Sequence, residues 1–219
     1  MNWFEPIDNY CERLDPSFWA EPLNALSNVS FIVAGLVLLL QWRRLPMRSL
    51  PALALILNVF VIGMGSFLFH TFANRWSSLA DVIPITVFIH VYLLLALRRY
   101  LGLNWWMAGG VTLAFFLASP FAASGLAPVM GSSAMYGPAL AAIFGVGLAS
   151  RPRQPAIARG LFLAGTVFAI SIAFRAADLP LCAALPAGTH LMWHLLNGVV
   201  LYLLVRRYLR EFARHAARL

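Results

Sequence analysis

Long apolar runs, each closed by a short polar cluster, recur seven times along the chain, near 24–42, 51–72, 80–97, 104–122, 132–149, 157–176 and 188–206. Runs of about 17 to 25 residues cross about 30 Å of hydrocarbon at 1.5 Å of rise per residue. Stretches such as FIVAGLVLLL and VFIHVYLLLAL are apolar on every side, whereas the strands of a membrane barrel alternate in polarity over about ten residues. The pattern predicts an all-α integral membrane protein, a bundle of seven transmembrane helices with short loops. It divides the chain into an acidic N-terminal segment at 1–23, the bundle at 24–206 and a basic tail at 207–219.

Composition removes the other classes. Of 219 residues, 61% are hydrophobic and 11% charged, against roughly 25% charged in a soluble domain. Disorder is excluded by the same apolar content. Basic residues outnumber acidic ones 16 to 8, and every one of them is Arg. Thirteen of the sixteen fall in the loops after the first, third and fifth runs or in the tail. Seven of the eight acids (Glu5, Asp8, Glu12, Asp15, Glu21, Asp81 and Asp178) fall on the opposite side. Since Arg gathers in cytoplasmic loops, the expected orientation is N-terminus outside and C-terminus inside. The Arg excess is then a topology signal, and no nucleic-acid partner is expected. A short, Lys-free chain with tight loops suggests a bacterial inner membrane, with the outer ends facing the periplasm.

The first 23 residues hold five acids and one Arg, unlike the basic start and apolar core of a cleaved signal, so this segment is expected to remain. Cys11 and Cys182 both land on the oxidising side, where they can bridge; two unrelated thiols are the alternative. The tail RRYLREFARHAARL is amphipathic as a helix and suited to the anionic inner leaflet. Trp3, Trp19, Trp76, Trp105 and Trp106 fit an interfacial aromatic belt.

Ionisable side chains inside a span cost about 2.5 to 3.5 kcal/mol each on insertion scales, so those present need partners or work. His70, Asp81, His190 and His194 share a depth near the outer surface, and His90 lies deeper. His190 and His194 are spaced H-x-x-x-H, which stacks two imidazoles on one helical face as a chelating pair requires. Ser66 stands one turn from His70. Asp81 by itself reads either as a helix N-cap with Pro84 in the first turn or as a general base. Three His, a Ser and an Asp at one depth form the inventory of a metal hydrolase. His90 is expected to be an interhelical hydrogen-bonding residue, and Arg175 with Asp178 an i, i+3 ion pair.

Three motifs carry a family resemblance: YCERLDPSFWAEPLNALSNVSF at 10–31, GMGSFLFHTFANRWSSLADVIPI at 63–85 and GTHLMWHLLNG at 188–198. Together they resemble the alkaline ceramidases, seven-span zinc amidohydrolases in a superfamily that includes the adiponectin and progestin receptors. The resemblance implies zinc on His70, His190 and His194, Asp81 as the base that orients water, and Ser66 facing the scissile carbonyl. It also implies calcium on carboxylates of the N-terminal segment, here Asp8, Glu12 and Glu21 with Asp15 as a further candidate. Asn24 and Asn28 would support the site. The substrate would be a membrane lipid, ceramide or another N-acyl lipid. Val82 and Ile85 depart from the eukaryotic pattern, which has an acidic residue and a Met there. Two other classes would use some of these residues: a receptor or scaffold with structural zinc, and a b-type cytochrome binding haem through His90 and His194.

Overall fold

The computed structural model describes residues 2–217; Arg218, counted with the basic tail, lies outside them. The described residues form α1 (Pro22–Ser27), α2 (Val29–Arg43), α3 (Leu50–Phe72), α4 (Arg75–Tyr100), α5 (Trp105–Met130), a 3-10 turn (Gly131–Tyr136), α6 (Gly137–Ser150), α7 (Pro155–Leu181) and α8 (His190–Ala216). Helix covers every predicted apolar stretch. By length and hydropathy, five segments are able to cross a membrane: Pro22–Arg43, Leu50–Phe72, Arg75–Tyr100, Trp105–Ser150 and Pro155–Leu181. The fourth, at 46 residues, joins α5 to α6 through the 3-10 turn. Such helices are consistent with a multi-pass integral membrane protein. The basic stretch read as an amphipathic tail is helical and continues α8 as far as Ala216, with Arg206, Arg207, Arg210 and Arg214 on its last turns.

Helix starts explain how the outer ends are set. Ser49 caps α3 by accepting from the Ala52 N–H. α4 begins five residues earlier than the apolar run predicts, because Asn74 and Ser77 cap each other's backbone N–H groups reciprocally, a capping box that fixes the first turn. Asp81 therefore stands inside α4 instead of at its cap. Between α3 and α4, Ala73 takes the left-handed conformation, and the N-terminal segment is strapped across this corner by Ile7 N–H to Ala73 O at 2.7 Å and Trp76 N–H to Trp3 O at 3.2 Å.

The core runs down the bundle axis. α3 packs against α2 and α4, and α8 against α7 and α2, burying Leu38, Leu55, Ile56, Val59, Leu161 and Val205 among others. α5 is peripheral: of its residues Ala108 alone is buried, and Trp106, Leu117, Phe121 and Val129 are exposed. Apolar surface on that scale suits acyl chains, since a soluble monomer rarely shows contiguous patches larger than a few hundred Å².

A candidate metal centre beneath the N-terminal segment

His70 near the end of α3 meets His190 and His194 at the start of α8. Their ring centroids lie 4.6 to 5.1 Å apart, all three side chains are buried, and one ligand atom from each falls within 4.8 Å of the others. Two tautomers follow from the neighbours. Nδ1 of His70 lies 2.6 Å from Glu21 Oε2, and a carboxylate accepts, so Nδ1 carries the proton. Its Nε2 is buried with no partner among the described residues. Ser27 Oγ–H donates to Asn24 O at 2.7 Å, so the same oxygen must accept from Nδ1–H of His194, also at 2.7 Å. That leaves the lone pair of His194 on Nε2, whose contact with Ser66 Oγ is 3.4 Å long. Imidazoles that give one nitrogen to a carboxylate or hydroxyl and keep the other free are the usual arrangement around a metal.

Ser66 and Asp81 reach the same place through a backbone seam. Pro84 has no N–H, so it leaves the carbonyl of Ala80, four residues earlier, without its helical partner. That carbonyl presses on α3 at Gly65, where a Cβ would stand 2.0 Å from Ala80 O. Only glycine allows the two backbones so close. The seam is flanked by Ser66 on one helix and Asp81 on the other. Both line a cavity with His194, and Asp81 Oδ1 is buried without a partner among the described residues. Below them the walls are apolar, with Phe31, Phe88, Val200 and Leu204. From His194 to Leu204 is about 15 Å of helical rise, the length of an extended alkyl chain.

The outer side is roofed. Tyr10 stacks on His190 with centroids 3.7 Å apart, and burial pushes its hydroxyl up to about 12 despite nearby Arg175. Arg175 donates to Tyr10 Oη at 3.3 Å and to Ser132 and Ser133 Oγ at 3.0 and 3.1 Å. Asp178 accepts from the backbone N–H groups of Cys11, Thr189 and His190 at 3.0, 2.6 and 2.8 Å. The expected Arg175–Asp178 ion pair is thus not formed. The carboxylate is held by three N–H donors, two of them at the positive end of α8, and the guanidinium lies 5.3 to 5.9 Å from the rings of Tyr10, Tyr136 and Trp193. Cys11 and Cys182 form a disulfide with Cα atoms 5.3 Å apart.

A family model described as Ceramidase matches residues 7–217. The chain belongs to the ceramidase family. Membership implies an amide hydrolase whose substrate is a lipid such as ceramide. A search of curated proteins finds no match. The three imidazoles can hold a metal ion: their ligand atoms converge, and His70 Nε2 and His190 Nδ1 are buried without a partner among the described residues, a nitrogen donor set that suits a borderline divalent cation.

The remaining expectations divide. His90 donates from Nδ1 to Thr86 O at 2.7 Å, one turn back within α4, so its hydrogen bond is intrahelical where an interhelical one was expected, and its ring lies against Phe115 and Phe116. Asp8, Glu12 and Glu21 are not brought together as a ligand set; among the described residues the His triad is the one group of three or more His, Cys, Asp or Glu with converging ligand atoms. Glu12 instead accepts from the N–H groups of Leu23 and Asn24 at 2.6 and 2.8 Å at the start of α1. Glu21 is occupied by Arg13, His70 and Asn24. Asp15 accepts from Ser17 N–H in a local turn. Residue-by-residue reading did not single out Tyr10, Arg13 or Ser27 as parts of the site. All three were visible only as members of the first motif, and Ser27 meets His194 across 167 residues of sequence.

Proposed function

We propose that this protein is an intramembrane zinc-dependent amidase that cleaves the N-acyl bond of ceramide or a related N-acyl lipid, releasing a fatty acid and a sphingoid base or other amine. One observation carries the reading: three buried His whose ligand atoms converge stand beside a long apolar cavity that His194, Ser66 and Asp81 line, with Asp81 Oδ1 buried and without a partner among the described residues. A polar centre at the head of a greasy shaft fits a substrate whose amide joins a polar headgroup to an alkyl chain. His70, His190 and His194 would hold the zinc ion. When bound, it supplies Lewis acidity that polarises the amide carbonyl and makes water nucleophilic near neutral pH.

The chain's own groups do the rest. Asp81 accepts the proton of the attacking water on its free Oδ1 and returns it to the leaving nitrogen. Ser66 Oγ–H donates to the carbonyl oxygen as charge develops there. Glu21 and Ser27 keep His70 and His194 in their ligating tautomers, and Tyr10 of the N-terminal segment limits water above the site. In the membrane we assign seven crossings, the N-terminus outside and the C-terminus in the cytoplasm, with the site toward the periplasmic face of a bacterial inner membrane. The acidic segment 1–23 covers the hydrolase bundle 24–206, and 207–219 meets the inner leaflet.

Metal analysis and lipid mass spectrometry on purified protein test the assignment. About one zinc per chain is expected, lost in His194→Ala; Asp81→Asn should keep zinc and lose fatty-acid release from a panel of N-acyl lipids. Full turnover in Asp81→Asn would refute its role as base. A zinc-loaded wild type that releases no fatty acid from any of the panel would refute the amidase reading.

A further inference from the structure

The N-terminal segment contains a cation of its own. Arg13 is 7% exposed, and its guanidinium is ringed by oxygens from three parts of the chain. Nε donates to Glu21 Oε1 at 2.6 Å, Nη1 to the carbonyls of Asp15 and Ser17 at 3.2 and 3.5 Å, and Nη2 to the carbonyl of His70 at 3.3 Å. One carboxylate and three carbonyls converging on a point is the environment a hard cation such as calcium takes. Here a planar side-chain cation fills it. The carboxylates that the resemblance assigns to calcium do not form a set: Glu21 divides its oxygens between Arg13 and the His70 and Asn24 side chains, both oxygens of Glu12 hold the start of α1, and Asp8 is exposed and does not join them in a converging group. The residues present do not fit calcium.

We propose that Arg13 is a built-in substitute for a structural calcium ion: its guanidinium gathers the N-terminal segment around Glu21, and through Glu21 and the His70 carbonyl it positions the His70 ring. The protein is accordingly calcium-independent. Arg13 touches no reacting atom, so it is a positioning residue. The geometry suits this role because one fork binds the carboxylate and the backbone of the residue whose ring that carboxylate orients, and arginine stays charged at any physiological pH. Guanidinium is also weakly hydrated compared with an ammonium, which favours its burial among carbonyls.

The inference goes beyond the amidase reading, and its test needs no turnover. Full-length protein in detergent is dialysed against radioactive calcium and melted with and without a calcium chelator. No retained calcium and an unchanged melting temperature are expected; about one bound calcium per chain, or a melting temperature lowered by the chelator, would overturn the proposal without touching the amidase assignment. Arg13→Gly should lower the melting temperature and weaken zinc retention about tenfold, the scale of losing an outer partner of a ligand. Free guanidinium, added at millimolar concentration, should restore both, which a merely structural loss of packing would not allow. An Arg13→Gly protein as stable and as zinc-replete as wild type, or one with both properties reduced and insensitive to guanidinium, would overturn the role. Should Arg13→Gly not fold, the calcium measurements on wild type still decide.

Discussion

Hydrogen bonds to the imidazoles, more than the imidazoles themselves, determine what the centre can bind. Ser27 is the plainest case, because its single proton is committed to Asn24 O and its oxygen must therefore take Nδ1–H of His194. Ser27→Ala leaves that N–H buried and frees the ring to turn. Zinc affinity, measured by competition with a coloured chelator, should fall about 10- to 100-fold, the range seen for outer partners of metal ligands. Glu21 offers a test by acidity. Burial alone would raise its carboxyl, but the hydrogen bonds from His70 and Arg13, with the charge of Arg13, outweigh it and hold the group below its ordinary value of 4.5. A depressed carboxylate contributes stability that is complete above the unfolded value and is lost as pH falls through the folded one. Melting temperature should thus decline below 4.5, and Glu21→Gln, less stable near neutrality, should show a shallower decline. An unchanged acid slope in that variant would show that Glu21 is not the group responsible.

At the scale of helices, the seam between α3 and α4 is the feature that places Ser66 beside Asp81. Gly65→Ala would drive a methyl group into Ala80 O, a backbone atom that no rotamer change can move aside. The helices must separate, at a cost of at least about 3 kcal/mol, the upper part of the usual overpacking range. Denaturant melts should record this loss, while Gly109→Ala on α5, with nothing within 4 Å of the added methyl, should melt like wild type. Much at this scale was legible beforehand. The apolar runs located the helices because an uninterrupted run in a membrane has one low-energy conformation. The His triad was legible because imidazoles are expensive there. Asp81 was ambiguous, since a carboxylate ahead of a proline is also a good cap, and the competing box at Asn74 and Ser77 declares itself only once the start of α4 is fixed. Asp178 was read as a local pair with Arg175 because spacing along a helix is visible in sequence. The backbone of Cys11, 167 residues away, is not.

For the whole molecule, the polar centre and the apolar cavity form one compartment, closed from outside by the N-terminal segment and open among the helices. Chain length should then be read at the bottom of the cavity, where Val200 and Leu204 stand. Val200→Trp is expected to reduce turnover of long-chain relative to short-chain N-acyl lipids about tenfold, comparable to the discrimination a pocket achieves over a methylene or two. Competition between the two substrates, followed by mass spectrometry, measures the ratio; an unaltered ratio would mean the alkyl chain runs elsewhere. The N-terminal cover was the least legible part, because its anchors (the Cys11–Cys182 bridge, the Asp178 hub and the Tyr10 stack) are all contacts across the length of the chain.

The contact of Gly65 with Ala80 also sets a mechanical tolerance for the molecule. Two backbones already touching form a hard stop, so inward pressure from a stiffer bilayer cannot bring Asp81 closer to Ser66.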